Sequence, residues 1–137
     1  MLANAYTLAP VPGAIHNVGG VPVLVDIDSN YHIDMTDLEA KAMQTGARFL
    51  LLSHMRGHIA DMDRLTEICD RLDICLIEDC AHTMGASWRN RKSGNFGRAA
   101  AFSTQTYKHM NAGEGGFLTS NDPVVAARAV VSSGSYM

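Results

Sequence analysis

The sequence has few of the features that mark membrane, secreted or nucleic-acid-binding proteins. None of its apolar runs approaches the roughly 18 residues that a membrane-spanning helix needs. The formal net charge of -3 gives no basic footprint of the kind that nucleic-acid-binding domains carry. The first residues lack the basic start and the apolar core of a signal peptide. We therefore expect neither a membrane nor a nucleic acid among the partners of this chain.

Cysteine is scarce, and its placement argues against disulfide and metal frameworks. The chain has three cysteines, Cys69, Cys75 and Cys80, so one would remain unpaired in any disulfide scheme. Their spacing is not that of the zinc-binding motifs. Reduced thiols are typical of cytoplasmic proteins, so we expect a cytoplasmic protein with no metal site built on these cysteines.

The 137 residues instead show a regular alternation of strand and helix patterns. Short continuous apolar runs separated by helices are typical of a mostly parallel sheet covered by helices, so we predict a three-layer α/β fold. Thr36 and Glu39 have the spacing of a capping box, which predicts that Thr36 caps the second helix. The predicted strands cover residues 23–25, 49–52, 74–77, 99–102 and 116–119, and the predicted helices cover residues 10–18, 36–43, 124–131 and a stretch beginning at Asp61.

Side chains able to do chemistry follow several of the predicted strands. Ligands of parallel α/β sheets bind outside the carboxyl ends of the strands. The residues on this rim would be His54, Asp79, His82 and Ser103. Lys108 lies five residues after Ser103, and a lysine attacks carbonyl groups when desolvation or a nearby cation lowers its pKa. Taken singly, each residue has an ordinary alternative: a solvated lysine, a locally paired acid, a histidine closing a loop or a serine in a turn.

Two further patterns have weaker implications. His54 and His58 are four residues apart with Asp61 nearby, a spacing that makes a metal site only on a helix face. Gly57 lies between the two histidines in a predicted loop, so we predict no metal site there. Residues 113–116, Gly-Glu-Gly-Gly, are compatible with a phosphate cradle and equally with a tight turn into the next strand.

The order and spacing of these motifs resemble those of the pyridoxal phosphate (PLP)-dependent sugar aminotransferases of the DegT/StrS family. The matching motifs include Glu-Asp-Cys-Ala-His at 78–82, Ala-Phe-Ser at 101–103, Lys108 and Gly-Glu-Gly-Gly at 113–116. Pro-Val-Leu-Val-Asp-Ile-Asp at residues 22–28 also matches. The resemblance covers nearly the whole chain and implies the fold type I large domain of these enzymes, in incomplete form.

The resemblance implies a role for each residue on the predicted rim. Lys108 would bond covalently to the cofactor aldehyde and move a proton between the substrate carbon and the cofactor. Asp79 would bind the protonated pyridine nitrogen, which makes the ring an electron sink. His82 would lie near the ring and bond its phenolic oxygen, and Ser103 would hold the phosphate.

Several positions depart from the family pattern. The aromatic residue that usually covers the face of the cofactor corresponds to Leu8, so Tyr6, two residues earlier, is the predicted substitute. The family usually has Phe-His after the serine and asparagine after the lysine, where this chain has Thr104, Gln105 and His109. We expect these differences to affect which acceptor substrate is bound more than they affect cofactor binding.

The predicted function follows from the resemblance. An amino acid, glutamate or glutamine, would donate its amino group to a keto-sugar or related cyclic ketone, as in nucleotide-sugar biosynthesis. Residues 1–137 would be the central part of the PLP-binding large domain, without the family's N-terminal segment and C-terminal small domain. The intact enzyme would be a homodimer, and this chain alone would be inactive.

Two alternatives remain open at this point. A PLP-dependent sugar dehydratase has the same fold, but that branch carries histidine at the position of Lys108. A doubly wound domain that binds another ligand or a protein partner would need no PLP. No Gly-x-Gly-x-x-Gly motif follows a predicted strand, which disfavours a dinucleotide-binding domain.

Overall fold

Parallel pairing dominates the sheet of the computed structural model, which describes residues 1–134. Its strands are β1 (Leu2–Asn4), β2 (Val23–Val25), β3 (Phe49–Ser53), β4 (Cys75–Asp79), β5 (Ser87–Trp88), β6 (Arg91–Lys92), β7 (Ala99–Ser103) and β8 (Gly116–Thr119). The main sheet has the order β2-β1-β3-β4-β7-β8, and β5 and β6 form a separate antiparallel hairpin. All neighbours in the main sheet are parallel except β7 and β8. The predicted mostly parallel α/β fold is confirmed.

Four α-helices lie between or after these strands in residues 1–134. They are α1 (Pro10–Asn17), α2 (Met35–Thr45), α3 (Met62–Arg71) and α4 (Pro123–Ser133). None of them combines the length and the apolar character needed to cross a bilayer. Asp61 caps α3 by accepting a hydrogen bond from the Arg64 amide at 3.1 Å, as the sequence pattern predicts.

Helices contact both faces of the main sheet. On one face, Leu50 and Leu52 of β3 are buried with Leu65 and Ile68 of α3 in the main core cluster. Alternate residues of a strand point to opposite faces, and Leu51 accordingly lines an apolar pocket on the other face. Ile15 and Val18, at the end of α1, line that pocket with Leu51 and Ile77. The chain therefore has the three layers that the apolar runs predict.

The cap of α2 differs from the prediction. Asp34 caps this helix, and its Oδ1 accepts hydrogen bonds from the amides of Thr36 at 2.7 Å and Asp37 at 2.9 Å. The predicted capping box fails because the helix begins at Met35, so Thr36 already lies inside it. Glu39 instead pairs with Arg71 of α3 at 3.1 Å. Strand β1 and the β5–β6 hairpin were not predicted, because none of them forms a continuous apolar run like Val-Leu-Val of β2.

The cap of α2 gives a direct stability test. Asp34→Ala should lower the free energy of unfolding of the chain by about 1 kcal/mol, because two amides at the helix start lose their acceptor. Thr36→Ala is the matched control, since Thr36 is exposed, and it should change the stability far less. Urea unfolding of both variants measures the difference. A larger loss of unfolding free energy for Thr36→Ala than for Asp34→Ala would show that Thr36, as first predicted, caps the helix.

Candidate active site

The carboxyl ends of four neighbouring strands bring polar side chains to one rim of the main sheet. Strands β1, β3, β4 and β7 run parallel to one another, so their last residues meet at the same edge. These last residues are Asn4, Ser53, Asp79 and Ser103. Asn4 and Ser53 are buried, whereas Asp79 and Ser103 are half-buried. Of the residues predicted for this rim, Asp79 and Ser103 lie on it, whereas His54 is buried against Glu78 and does not face the rim.

Lys108 reaches this rim and contacts His82. The two side chains meet at 2.8 Å between Lys108 Nζ and His82 Nε2. Lys108 sits in a turn closed by a 2.9 Å hydrogen bond from its amide to the Gln105 carbonyl. His82 lies three residues after Asp79 in the loop that follows β4. The structure therefore brings the predicted lysine and histidine together, beside the strand end that carries the predicted acid.

The environment of His82 favours an uncharged imidazole. Burial lowers the pKa of His82, the charge of Lys108 lowers it further, and the Asp79 carboxylate opposes both effects. The backbone amide of Arg56 donates to His82 Nδ1 at 3.2 Å. The Lys108 amine contacts the other ring nitrogen, Nε2, so the His82 ring is held at both nitrogens.

Asp79 is held by two neutral donors. The hydroxyl of Ser53 donates to Oδ2 at 2.8 Å, and the amide of Ala81 donates to Oδ1 at 3.1 Å. Within residues 1–134, no lysine or arginine forms an ion pair with this carboxylate. Hydrogen bonds therefore orient the carboxylate without neutralising its charge, so the carboxylate can still bind a cationic ligand. A protonated pyridine nitrogen is such a ligand.

Ser103 begins the loop that carries Lys108. Its hydroxyl accepts a 3.3 Å hydrogen bond from the Gln105 amide. The loop closes on itself where the Thr104 amide donates to the Gly115 carbonyl at 2.9 Å. Gly115 has a φ of +123°, and a Cβ there would approach Thr104 Oγ1 to 3.2 Å, so the closure requires glycine. The glycine-rich stretch thus forms the turn into β8, the second of its two predicted possibilities.

Tyr6 stands at the same rim but packs on another aromatic ring. It follows β1, and its ring centroid lies 5.2 Å from that of Tyr31. Tyr31 in turn lies 6.0 Å from the His58 ring. Leu8, at the position usual for the stacking aromatic, is exposed. The role of Tyr6 as a cofactor-stacking residue stays a prediction.

Glu78 is a residue whose role the sequence reasoning missed. Its fully buried carboxylate accepts backbone hydrogen bonds from Gly94 at 2.9 Å, Phe96 at 2.7 Å and Gly97 at 2.8 Å. It also lies 3.1 Å from His54 Nε2. We call Glu78 and its four hydrogen-bond partners, His54, Gly94, Phe96 and Gly97, the Glu78 clamp. A Cβ at Gly94 would come within 2.5 Å of the Phe102 ring, so only glycine fits at this position of the clamp. The signal in the sequence was a charged residue at an inward position of an apolar strand.

The structure places His54 and His58, whose spacing raised the possibility of a metal site, in different environments. His54 is buried against Glu78, whereas His58 is exposed and packs near Tyr31. Ligand atoms of His54, Glu78 and Cys80 lie within 4.8 Å of one another. However, both Glu78 oxygens already accept backbone hydrogen bonds, and burial raises the pKa of the Cys80 thiol to about 12. These three residues form a packing cluster whose donors suit hydrogen bonds more than a metal.

Comparison with known proteins identifies the class to which this fold belongs. The structure of a DegT/DnrJ/EryC1/StrS aminotransferase from Brucella abortus matches 95% of this chain with a TM-score of 0.85 and 28% identity, over 38% of its own length. The PMP-form of Spr1654 from Streptococcus pneumoniae matches 90% of this chain with a TM-score of 0.81 and 25% identity, over 35% of its own length. The fold is thus the α/β fold of the aminotransferases.

The sequence comparisons narrow this class to a family. Residues 2–134 match the DegT/DnrJ/EryC1/StrS aminotransferase family, to which the chain therefore belongs. An L-glutamine:scyllo-inosose aminotransferase from Streptomyces griseus is 42% identical over 117 residues, which are 85% of this chain and 27% of that protein. The chain spans about a third of the length of the curated relatives it matches.

The Glu78 clamp predicts a specific loss of stability. Glu78→Gln should lower the free energy of unfolding by about 3 kcal/mol at pH 7, since an amide NH2 group would face backbone N–H donors inside the core. Glu67→Gln is the control, because Glu67 is an exposed residue of α3. Urea unfolding measures both. Equal stability of the two variants would contradict the clamp.

The same variant should change the acid dependence of stability. Burial alone would raise the pKa of Glu78, but hydrogen bonds from His54, Gly97 and Gly94 lower it below its ordinary value. A carboxyl with a lowered folded-state pKa stabilises the protein above its unfolded-state pKa, and this stabilisation is lost as the pH falls through the folded-state value. The stability gap between wild type and Glu78→Gln should therefore narrow as the pH falls below about 4.3. A gap of constant size from pH 7 to pH 3 would refute this assignment.

Proposed function

We propose that this chain is the cofactor-binding centre of a PLP-dependent aminotransferase that moves an amino group from glutamine or glutamate to a cyclic ketone. The observation that carries the proposal is the contact of Lys108 Nζ with His82 Nε2 at 2.8 Å, beside the strand end that holds Asp79. A lysine amine and a carboxylate that has no lysine or arginine partner within residues 1–134 are the groups that a pyridine aldehyde requires.

The residues of the rim fit PLP in chemistry. Asp79 would bind the ring nitrogen, because its carboxylate is oriented by Ser53 and Ala81 and has no cationic partner among residues 1–134. Ser103 would bind the phosphate through its hydroxyl at the end of β7. His82 would bond the phenolic oxygen. Tyr6 would cover one face of the ring.

The bound cofactor supplies an aldehyde that condenses with amines and a ring that withdraws electrons from the substrate carbon. Lys108 would hold the cofactor covalently through its side-chain amine. The same amine would move a proton between the substrate carbon and C4′ of the cofactor, as a general base and then a general acid. Asp79 would keep the ring nitrogen protonated throughout.

The proposed substrates rest on the relatives. The protein from Streptomyces griseus is named for L-glutamine and scyllo-inosose. We extend this pair of classes to the present chain, with glutamine or glutamate as the donor. The acceptor would be a hydroxylated cyclic ketone, either a cyclitol or the keto-sugar of a nucleotide sugar. Lys108 disfavours the dehydratase alternative, which carries histidine at that position.

The proposal also covers the organisation of the whole enzyme. Residues 1–137 would be part of the PLP-binding large domain, and a further N-terminal segment and a C-terminal small domain would complete it. The intact enzyme would be a cytoplasmic homodimer. Because this chain spans about a third of its curated relatives, we expect no turnover of glutamine and a cyclic ketone by the chain alone. Full turnover by residues 1–137 would contradict that expectation.

Borohydride labelling tests the cofactor assignment. The chain mixed with PLP and then reduced should gain one pyridoxyl group, and peptide mass spectrometry should find it on Lys108. Lys108→Ala should lose the label. Lys41→Ala is the control and should keep it, because Lys41 is paired with Asp37 at 2.6 Å on α2, away from the rim. Label spread evenly over the lysines, or persisting in Lys108→Ala, would remove the basis of the proposed function.

A further inference from the structure

A chain of buried hydrogen bonds links three strands behind the rim and ends on Asp79. It begins at Asn4, the last residue of β1, which is 2% exposed. It passes through Ser53, the last residue of β3, which is 5% exposed. Neither residue belongs to the motifs from which the function is proposed. Buried polar side chains are retained where their hydrogen bonds are satisfied, so the arrangement of this chain is informative.

Asn4 acts as an extension of the backbone ladder between β1 and β3. Its Oδ1 accepts from the Ser53 amide at 2.8 Å, while its Nδ2 donates to the carbonyls of Ser53 at 3.1 Å and Tyr6 at 2.9 Å. The pairing of β1 with β3 ends at Ala3 and Leu51. The Asn4 side chain therefore fixes the backbone of Ser53 just beyond the point where the regular ladder ends.

Ser53, held in this way, orients the carboxylate of Asp79. The two residues are partners in the parallel register of β3 and β4, and the Ser53 hydroxyl donates to Asp79 Oδ2 at 2.8 Å. The Ala81 amide holds the other carboxylate oxygen, so donors on both oxygens fix the plane of the group. A hydroxyl is a neutral donor, so it orients the carboxylate without cancelling its charge.

We propose that Asn4 and Ser53 are positioning residues that hold the Asp79 carboxylate in place for a cationic ring nitrogen. The inference rests on the proposed function, in which Asp79 binds that nitrogen. An arginine or lysine in place of Ser53 would orient Asp79 but neutralise it. The Asn4–Ser53 pair provides the orientation and preserves the charge, and both residues are buried.

The test compares two buried serines in the present chain. Ser53→Ala removes the donor to Asp79. Ser93→Ala is the matched control, because Ser93 is 4% exposed and donates at 2.7 Å to the Thr83 carbonyl instead. Ser53→Thr retains the hydroxyl, so this variant should keep the wild-type Asp79 resonance and the wild-type affinity for PLP. The readouts are the 13Cγ resonance of Asp79 without cofactor, assigned by its loss in Asp79→Ala, and the dissociation constant for PLP from absorbance titration.

Ser53→Ala should move the Asp79 resonance and weaken PLP binding about ten-fold, as expected for the loss of a hydrogen bond to a charged group. Ser93→Ala should change neither the Asp79 resonance nor the affinity for PLP. The inference is overturned if Ser53→Ala matches Ser93→Ala in both readouts while Asp79→Ala still weakens PLP binding, an outcome that leaves the proposed function standing. If Asp79→Ala binds PLP as wild type does, the proposed function fails and the inference fails with it. If Ser53→Thr does not fold, the two alanine variants decide alone.

Discussion

The parallel pairing of β3 with β4 is the constraint on which the candidate site depends. Its register sets Leu52 opposite Glu78 and Ser53 opposite Asp79. Because neighbouring residues of a strand face opposite sides of the sheet, the two adjacent acids serve different purposes. Glu78 points into the protein and accepts hydrogen bonds from the loop that precedes β7. Asp79 lies at the rim with its charge unneutralised. A one-residue slip in this register would exchange the two faces.

The site follows from this register together with two loops. The loop after β4 brings His82 back over the rim, and the Arg56 amide fixes its ring. Arg56 has a φ of 55°, in the left-handed region that costs a non-glycine residue about 1–2 kcal/mol. The loop after β7 closes through Gly115 and presents Lys108 to His82. The strands thus hold the Asp79 carboxylate, and the two loops bring the Lys108 amine to His82.

The sequence predicted the fold well, because the fold depends on strong local patterns. Apolar runs ending in polar residues identified β3, β4 and β7, and the spacing of their last residues placed Asp79 and Ser103 on one rim. The sequence did not reveal what supports these residues. The hydrogen bonds of Asn4 to Ser53, and of Glu78 to Gly94, join residues far apart in the chain, and no periodicity encodes such contacts. The capping error at Thr36 had a local cause, since Asp34 offers an equally good cap two residues earlier.

The central claim is that the amine at Lys108 and the acid at Asp79 act on the same ring. The most direct measurement is the 15N chemical shift of the pyridine nitrogen of labelled PLP after borohydride reduction has fixed it on Lys108. In the wild-type chain we expect the shift of a protonated ring nitrogen, and in Asp79→Asn the shift of an unprotonated one, with the label still on Lys108. An identical shift in both proteins would show that residue 79 does not reach the ring held by Lys108, and would contradict the account.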